Sequence, residues 1–178
     1  NTCSGSVEHV DVWILQELNK TIEQVTLAFD EYAYSRARDT LDGFFWSKFT
    51  DYYVEFIKYR LFGDDEASKE AAAATLKKVV LAVLKMYAPI MPFITEEIYQ
   101  QLYREDSGDK SIHLSQWPEA EVIQSDIDIT DFDKAMAAID EVRKFKAEQN
   151  MSLGKELDEF RPEIQFDRQK YGNLIKGV

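Results

Sequence analysis

Residues 86–102 read MYAPIMPFITEEIYQQL. Two prolines, Pro89 and Pro92, interrupt an otherwise helical pattern. Pro89 has no amide hydrogen, and its ring clashes with the carbonyl four residues back, at Lys85. It also biases Ala88 away from helical geometry. Pro92 falls where proline is tolerated, at the first position of a new helix. The spacing therefore predicts one helix ending before Pro89 and another starting at Pro92. Ile94, Ile98 and Leu102 form the apolar row of the second, and Ile90, Met91 and Phe93 are expected to be buried in the corner. A chain that turns back here builds a helical bundle.

The upstream pattern agrees. Apolar residues at Val10, Ile14, Leu18, Ile22, Val25, Phe29 and Tyr32 follow steps of four and three, one face of a long helix. A second row runs Ala37, Leu41, Phe45, Phe49, Tyr52, Phe56 and Tyr59. Phe44, Trp46 and Tyr53 widen it, so this helix is expected to bury more than one side. Gly63 is expected to cap it in a left-handed conformation before the acidic loop. The third row is Ala72, Leu76, Val79, Val83 and Met86, with Glu66 and Glu70 favourable near its positive end. Short connections favour antiparallel neighbours.

After Tyr103 the pattern changes. Ser111-Ile112-His113-Leu114 is read as a short extended segment, ended by Trp117-Pro118. A further helix is predicted at 130–149, with Phe132, Met136, Ile139, Val142 and Phe145 on one face. Glu163-Ile164-Gln165-Phe166 alternates as a strand does. The expected fold is all-α: an antiparallel bundle of four to five helices with a small partial α/β appendage at the C-terminus. The expected divisions are the bundle at 8–104, an acidic connector at 105–129, and a further helix with the start of a truncated subdomain at 130–178.

The 178 residues carry a net charge of −12, which argues against a general nucleic-acid coat. The acidity is concentrated. Residues 104–140 carry −7, while 141–178 carry +1. No apolar run approaches the ~20 residues that span a bilayer. One cysteine, Cys3, excludes an internal disulfide framework and suits a reducing compartment. The missing initiator Met and the ending at LIKGV read as a piece excised from a longer chain.

Catalytic signatures are absent. There is no phosphate-cradling Gly-rich loop and no GxSxG elbow. His9 and His113 stand far apart, so no metal site is expected. Glu96 and Glu97 are adjacent on a helix and do not face each other, so they read as a solvated first turn.

Five ordered blocks carry a resemblance. They are VDVWILQELNKTIEQV, FFWSKFTDYYVEFIKYRLFG, LAVLKMYAPIMPFITEEIYQQL, SIHLSQWPE and VRKFKAEQNMSLGKEL. Together they resemble the anticodon-binding helical domain of the valyl, isoleucyl, leucyl and methionyl class I aminoacyl-tRNA synthetases. The Phe44–Lys58 block and SIHLSQWP look most like the valyl-tRNA synthetase family, with the isoleucyl family as the alternative. Asn150–Lys155 is faintly similar to the KMSKS loop of these enzymes. It lacks that motif's first and fourth characters and follows a helix, so it is rejected as an ATP site.

The resemblance implies a tRNA anticodon-binding domain. In the parent enzymes, ATP with Mg drives the joining of valine to its tRNA. The implied partners are a valine-accepting tRNA and the catalytic domain of the same chain, in the cytoplasm, with no membrane or DNA. The HIGH and KMSKS signatures are absent, so this chain alone is expected to be non-catalytic and to hold no cofactor. Unpaired loop bases are read by stacking on aromatic or guanidinium planes, and phosphates are met by Lys and Arg. Candidate contacts are therefore Arg36, Arg38, Trp46, Lys48, Arg143, Lys144 and Lys146. Each has a plainer reading. Arg36 and Arg38 pair with Asp39, Asp42 or the acidic first helix; Trp46 belongs to the core; Lys144 and Lys146 complement a helix C-terminus. A synthetase-derived helical module that binds protein is the competing function.

Overall fold

The computed structural model describes residues 7–123, 127, 129 and 132–152. The chain divides into two units, Asn1–Ser125 and Asp126–Val178. Among the described residues every regular element is helical. The expected Glu163–Phe166 strand lies outside them.

In the first unit α1 spans His9–Asp30. A long rod follows: α2 Tyr34–Gly43, a π-helical segment Phe44–Val54, and α3 Glu55–Leu61. Then come α4 Glu66–Tyr87 and α5 Pro92–Leu102. A short α6, Arg104–Ser107, leads to a 3₁₀ turn at Ile112–Leu114. The rod packs on α1 and α4, and α5 packs on α4. In the second unit α7 spans Phe132–Glu148, close to the expected helix, and buries Phe132, Ala135, Ile139 and Val142.

The α4–α5 corner forms as its prolines dictate. Helix α4 stops at Tyr87, whose carbonyl accepts from the amides of Ile90 (2.9 Å) and Met91 (2.8 Å), and Pro92 opens α5. The face of α5 differs from expectation. Thr95 and Tyr99 are buried, whereas Ile94 and Leu102 are more than half exposed. Met91 and Phe93 are also outside, Phe93 at 89% exposure. The turn rotates α5 so that Tyr99 and Tyr103 meet Leu84, Ala88 and Ile112 in a small core of their own.

The rod also departs from a plain α-helical reading. A π segment has i→i+5 hydrogen bonding and a wider turn, so the buried row shifts register. Thr50 Oγ1 donates to the carbonyl of Phe45, five residues back, at 2.8 Å. Phe44, Phe49 and Tyr53 face inward as read, with Phe49 stacked on Tyr53 at 6.1 Å, whereas Phe45 and Tyr52 of the expected row are only half-buried. At the lower end Arg60 is inside at 2% exposure, while Tyr59 is half exposed.

Arg60 anchors a buried polar network. Its Nη1 donates to Asp11 Oδ2 at 2.6 Å, its Nε to Ser68 Oγ at 2.8 Å, and its Nη2 to the Ser68 carbonyl at 3.0 Å. Tyr53 donates to Asp11 Oδ1 at 3.0 Å. Asp11 Oδ2 also accepts the Glu8 amide at 3.0 Å, a capping contact at the start of α1. A buried ion pair survives only when its remaining donors and lone pairs are also satisfied, and these are.

Two smaller expectations change, and one cap is added. Gly63 is not left-handed; a Cβ there would meet the Tyr59 carbonyl oxygen at 2.7 Å, so closeness is what demands glycine. Asp65 caps α4, accepting from the amides of Ala67 (3.1 Å) and Ser68 (3.2 Å). Ser111–Leu114 is a 3₁₀ turn because the Ser111 hydroxyl accepts the His113 amide at 3.2 Å, closing the chain locally.

Candidate nucleic-acid interface

On the rod, Tyr34, Arg38, Asp42 and Trp46 stand at successive steps of four. Residues four apart are neighbours on a helix surface. Its α-helical part, Tyr34 to Asp42, spans roughly 12 Å at 1.5 Å per residue, and Trp46 follows in the π segment. Tyr34, Arg38 and Trp46 are each more than half exposed. Trp46 is therefore a surface residue at 59% exposure, because the π segment turns Phe44 and Phe49 inward in its place. The Phe45 ring meets it edge-on at 5.0 Å and 79°, which braces one side of the indole.

Asp42 organises the middle of the row. Its Oδ1 accepts the Tyr87 hydroxyl at 2.6 Å, and its Oδ2 accepts Arg38 Nε at 3.3 Å. Burial, then the bond to Asp42, pushes the Tyr87 hydroxyl well above the ordinary phenol range. It therefore stays a donor and holds Asp42 in place. Arg36, on the same helix, pairs with Glu31 at the end of α1.

Lys48 does not join this row. Its ammonium lies 5.9 Å from the Trp13 ring centroid and 4.0 Å from Glu17 Oε2. Arg38 and Trp46 are thus both exposed on the rod, and Lys48 lies against Trp13 and Glu17 instead. In the second unit Arg143 is half-buried, Lys144 is exposed and Lys146 is buried at 3% exposure. A buried ammonium is not presented to a phosphate arriving from solvent.

The plainer reading of the arginines is met as well, since both engage carboxylates. These are exposed pairs, however, and exposed pairs are worth at most about 1 kcal/mol, so a phosphate can displace them. Sequence reasoning missed Tyr34, taking the rod's apolar row from Ala37. Its signal was an aromatic residue four positions before Arg38.

The connector lies along the bundle. Asn19 pairs with Glu121 through both amide groups, donating to its carbonyl at 2.7 Å and accepting its amide at 3.2 Å. Trp117 Nε1 donates to Thr26 Oγ1 at 2.8 Å, and Lys78 meets Glu121 at 2.6 Å. A cleft of about 660 Å³ between α1, α4 and residues 116–123 is largely apolar and holds none of the expected site residues.

Glu96 and Glu97 do not act together. Glu97 accepts from Gln101 at 2.6 Å. Glu96 is a tie to the connector: its Oε2 accepts Ser111 Oγ and the Ile112 amide, each at 2.9 Å. Desolvation pushes its carboxyl up, but the bonds from Ser111, Gln100 and Ile112 outweigh this and hold it below the usual range.

Among the described residues no group of three His, Cys, Asp or Glu side chains could hold a metal ion. No described helix is long and apolar enough to cross a membrane.

The chain is similar to valine–tRNA ligases from archaea and bacteria. It is 38% identical to that of Haloarcula marismortui over 149 residues, which is 84% of this chain and 16% of the ligase. It is 37% identical to that of Thermococcus kodakarensis over 152 residues, 85% of this chain and 17% of the ligase. Against the Oceanobacillus iheyensis ligase it is 37% identical over 158 residues, 86% of this chain and 17% of the ligase. The chain thus spans about a sixth of the length of these relatives. Residues 11–161 match the family described as the anticodon-binding domain of tRNA ligase. That match covers most of the chain and agrees with its helical bundle, and the chain belongs to this family of tRNA ligase anticodon-binding domains.

Proposed function

We propose that this chain is the anticodon-binding part of a valine–tRNA ligase and holds the anticodon loop of its tRNA. The observation that carries the reading is the exposed row of Tyr34, Arg38 and Trp46 on a chain of the anticodon-binding family. Flat aromatic faces and a guanidinium suit unpaired bases, which are recognised by stacking and edge hydrogen bonds. The basic groups Arg36 and, in the second unit, Lys144 supply phosphate contacts.

The chemistry of the whole ligase, the ATP-dependent joining of valine to tRNA in the cytoplasm, belongs to a catalytic domain in the same polypeptide. This chain contributes position: it fixes one end of the tRNA so that the other reaches the reacting groups.

The test is a titration of the chain with tRNA bearing the valine anticodon, tRNA bearing the isoleucine anticodon, and valine tRNA with an altered anticodon. Preference for the intact valine anticodon supports the reading. Preference for the isoleucine anticodon moves it to the isoleucyl family. Equal or absent binding to all three sinks it in favour of a protein-binding module.

A further inference from the structure

Resting on the anticodon-binding reading, we propose that Tyr32 is a base-stacking residue. It presents its ring to an unpaired nucleotide of the tRNA loop at the head of the row that begins with Tyr34.

The argument starts from the backbone. Helix α1 closes with the Ala33 amide donating to the Ala28 carbonyl at 2.8 Å and the Tyr32 amide to Phe29 at 3.0 Å. This six-to-one closure places its penultimate residue in the left-handed region, and Tyr32 has φ +56°. Glycine is the usual occupant, because a Cβ is disfavoured there. The chain places a large aromatic at that point instead.

Tyr32 does not offset this strain by burial, since it is 78% exposed. Among the described residues its one ring contact is edge-on to Tyr34, at 6.4 Å and 84°. Tyr34 in turn packs on Phe29 at 6.0 Å, and Trp117 meets Phe29 edge-on at 5.5 Å. The ring is thus braced on one side and exposed on the rest. Strained, exposed and braced residues of this kind cluster at ligand clamps.

The setting favours a nucleotide over a protein surface. In the chain Tyr32 is set among Asp30, Glu31 and Ala33, all of them exposed or half-buried, and Arg36 pairs with Glu31. A planar base with polar edges fits this surround; an aliphatic protein face would leave these charges against apolar surface. Stacking uses the π-face that every base has, so it needs no cation beside the ring itself.

The experiment compares the chain with its Tyr32→Gly and Tyr32→Phe variants, measuring thermal unfolding and affinity for a tRNA transcript bearing the valine anticodon. Tyr32→Gly relieves the left-handed residue, so its Tm is expected to stay level or rise, while affinity falls at least about fivefold, as for the loss of one stacked base. Tyr32→Phe keeps the ring and is expected to bind as wild type does. Undiminished affinity in Tyr32→Gly, beside a binding wild type, overturns the proposal and leaves the ring to a protein surface. Loss of affinity in both variants overturns stacking in favour of a hydroxyl contact. A fall in both Tm and affinity for Tyr32→Gly assigns the residue to the fold instead. If wild type itself shows no saturable binding, the anticodon reading fails, and the inference falls with it.

Discussion

Arg60 Nη1 lies 2.6 Å from Asp11 Oδ2, and both side chains are fully enclosed. The pair ties the end of the rod to the start of α1, and Ser68 brings in the first turn of α4. Three helices that are distant in sequence are therefore held at one point. Removing one partner leaves a buried charge uncompensated. Asp11→Ala is expected to destabilise the chain by about 3–5 kcal/mol in urea unfolding. Replacing both, as Asp11→Leu with Arg60→Met, is expected to recover much of that loss, since apolar packing can substitute for a buried ion pair. A double variant no more stable than Asp11→Ala would show that the network is needed for the bundle geometry itself.

Glu96 couples stability to acid. Its carboxyl is held below the usual range, so the charged form is the one the fold favours. A depressed folded pKa contributes stability that is fully present above the unfolded value, near 4.5, and is lost as pH falls through the folded value. Glu96→Gln cannot titrate. The gap in Tm between wild type and Glu96→Gln is expected to be constant near pH 7 and to shrink below about pH 4.5. A gap that is independent of pH would remove Glu96 from the acid response.

The α5 surface gives a paired contrast. Phe93→Ser removes a ring that is 89% exposed and is expected to change stability by no more than about 0.5 kcal/mol. Tyr99→Ala empties a fully buried site and is expected to cost about 3–5 kcal/mol. Chemical unfolding of the two variants checks both. Equal costs would mean that the corner residues are packed after all.

Gly63 makes a sharper steric prediction. Gly63→Ala would place a Cβ 2.7 Å from the Tyr59 carbonyl oxygen, a backbone atom that cannot swing aside. The expected cost is about 1–3 kcal/mol, as for overpacking elsewhere. Unfolding of Gly63→Ala at wild-type midpoint would show that the end of α3 relaxes freely.

Binding to tRNA should respond only modestly to salt. Arg36, Arg38 and Lys48 each lie within 4.0 Å of a carboxylate, so few cations are ready to release counterions. Glu31→Gln frees Arg36, and the slope of log affinity against log salt is expected to steepen by about 0.7–0.9. An unchanged slope would place Arg36 away from the phosphates.

What the sequence determined was local. Helical periodicity placed α1 and α4, the proline pair placed the start of α5, and the 130–149 window anticipated α7. These follow from backbone sterics and from the short-range repeat of apolar residues, which any stretch carries within itself. The family was legible too, through ordered blocks that cover most of the chain. Most residues of the rows read for α1, α4 and α7 are buried, whereas tertiary structure decided which side of the rod and of α5 is inside. In the π segment Phe44, Phe49 and Tyr53 stayed buried as read, while Phe45 and Tyr52 became half-buried and Trp46 was released to the surface. Arg60 went inward because Asp11 and Ser68, remote in sequence, were there to satisfy it. Phe93 and Ile94 stayed outside because Tyr99 and Tyr103 claimed the contact with α4. Tyr32, read as part of a helical row, became an exposed left-handed turn residue. Burial is a property of neighbours, and these neighbours lie far apart in the chain.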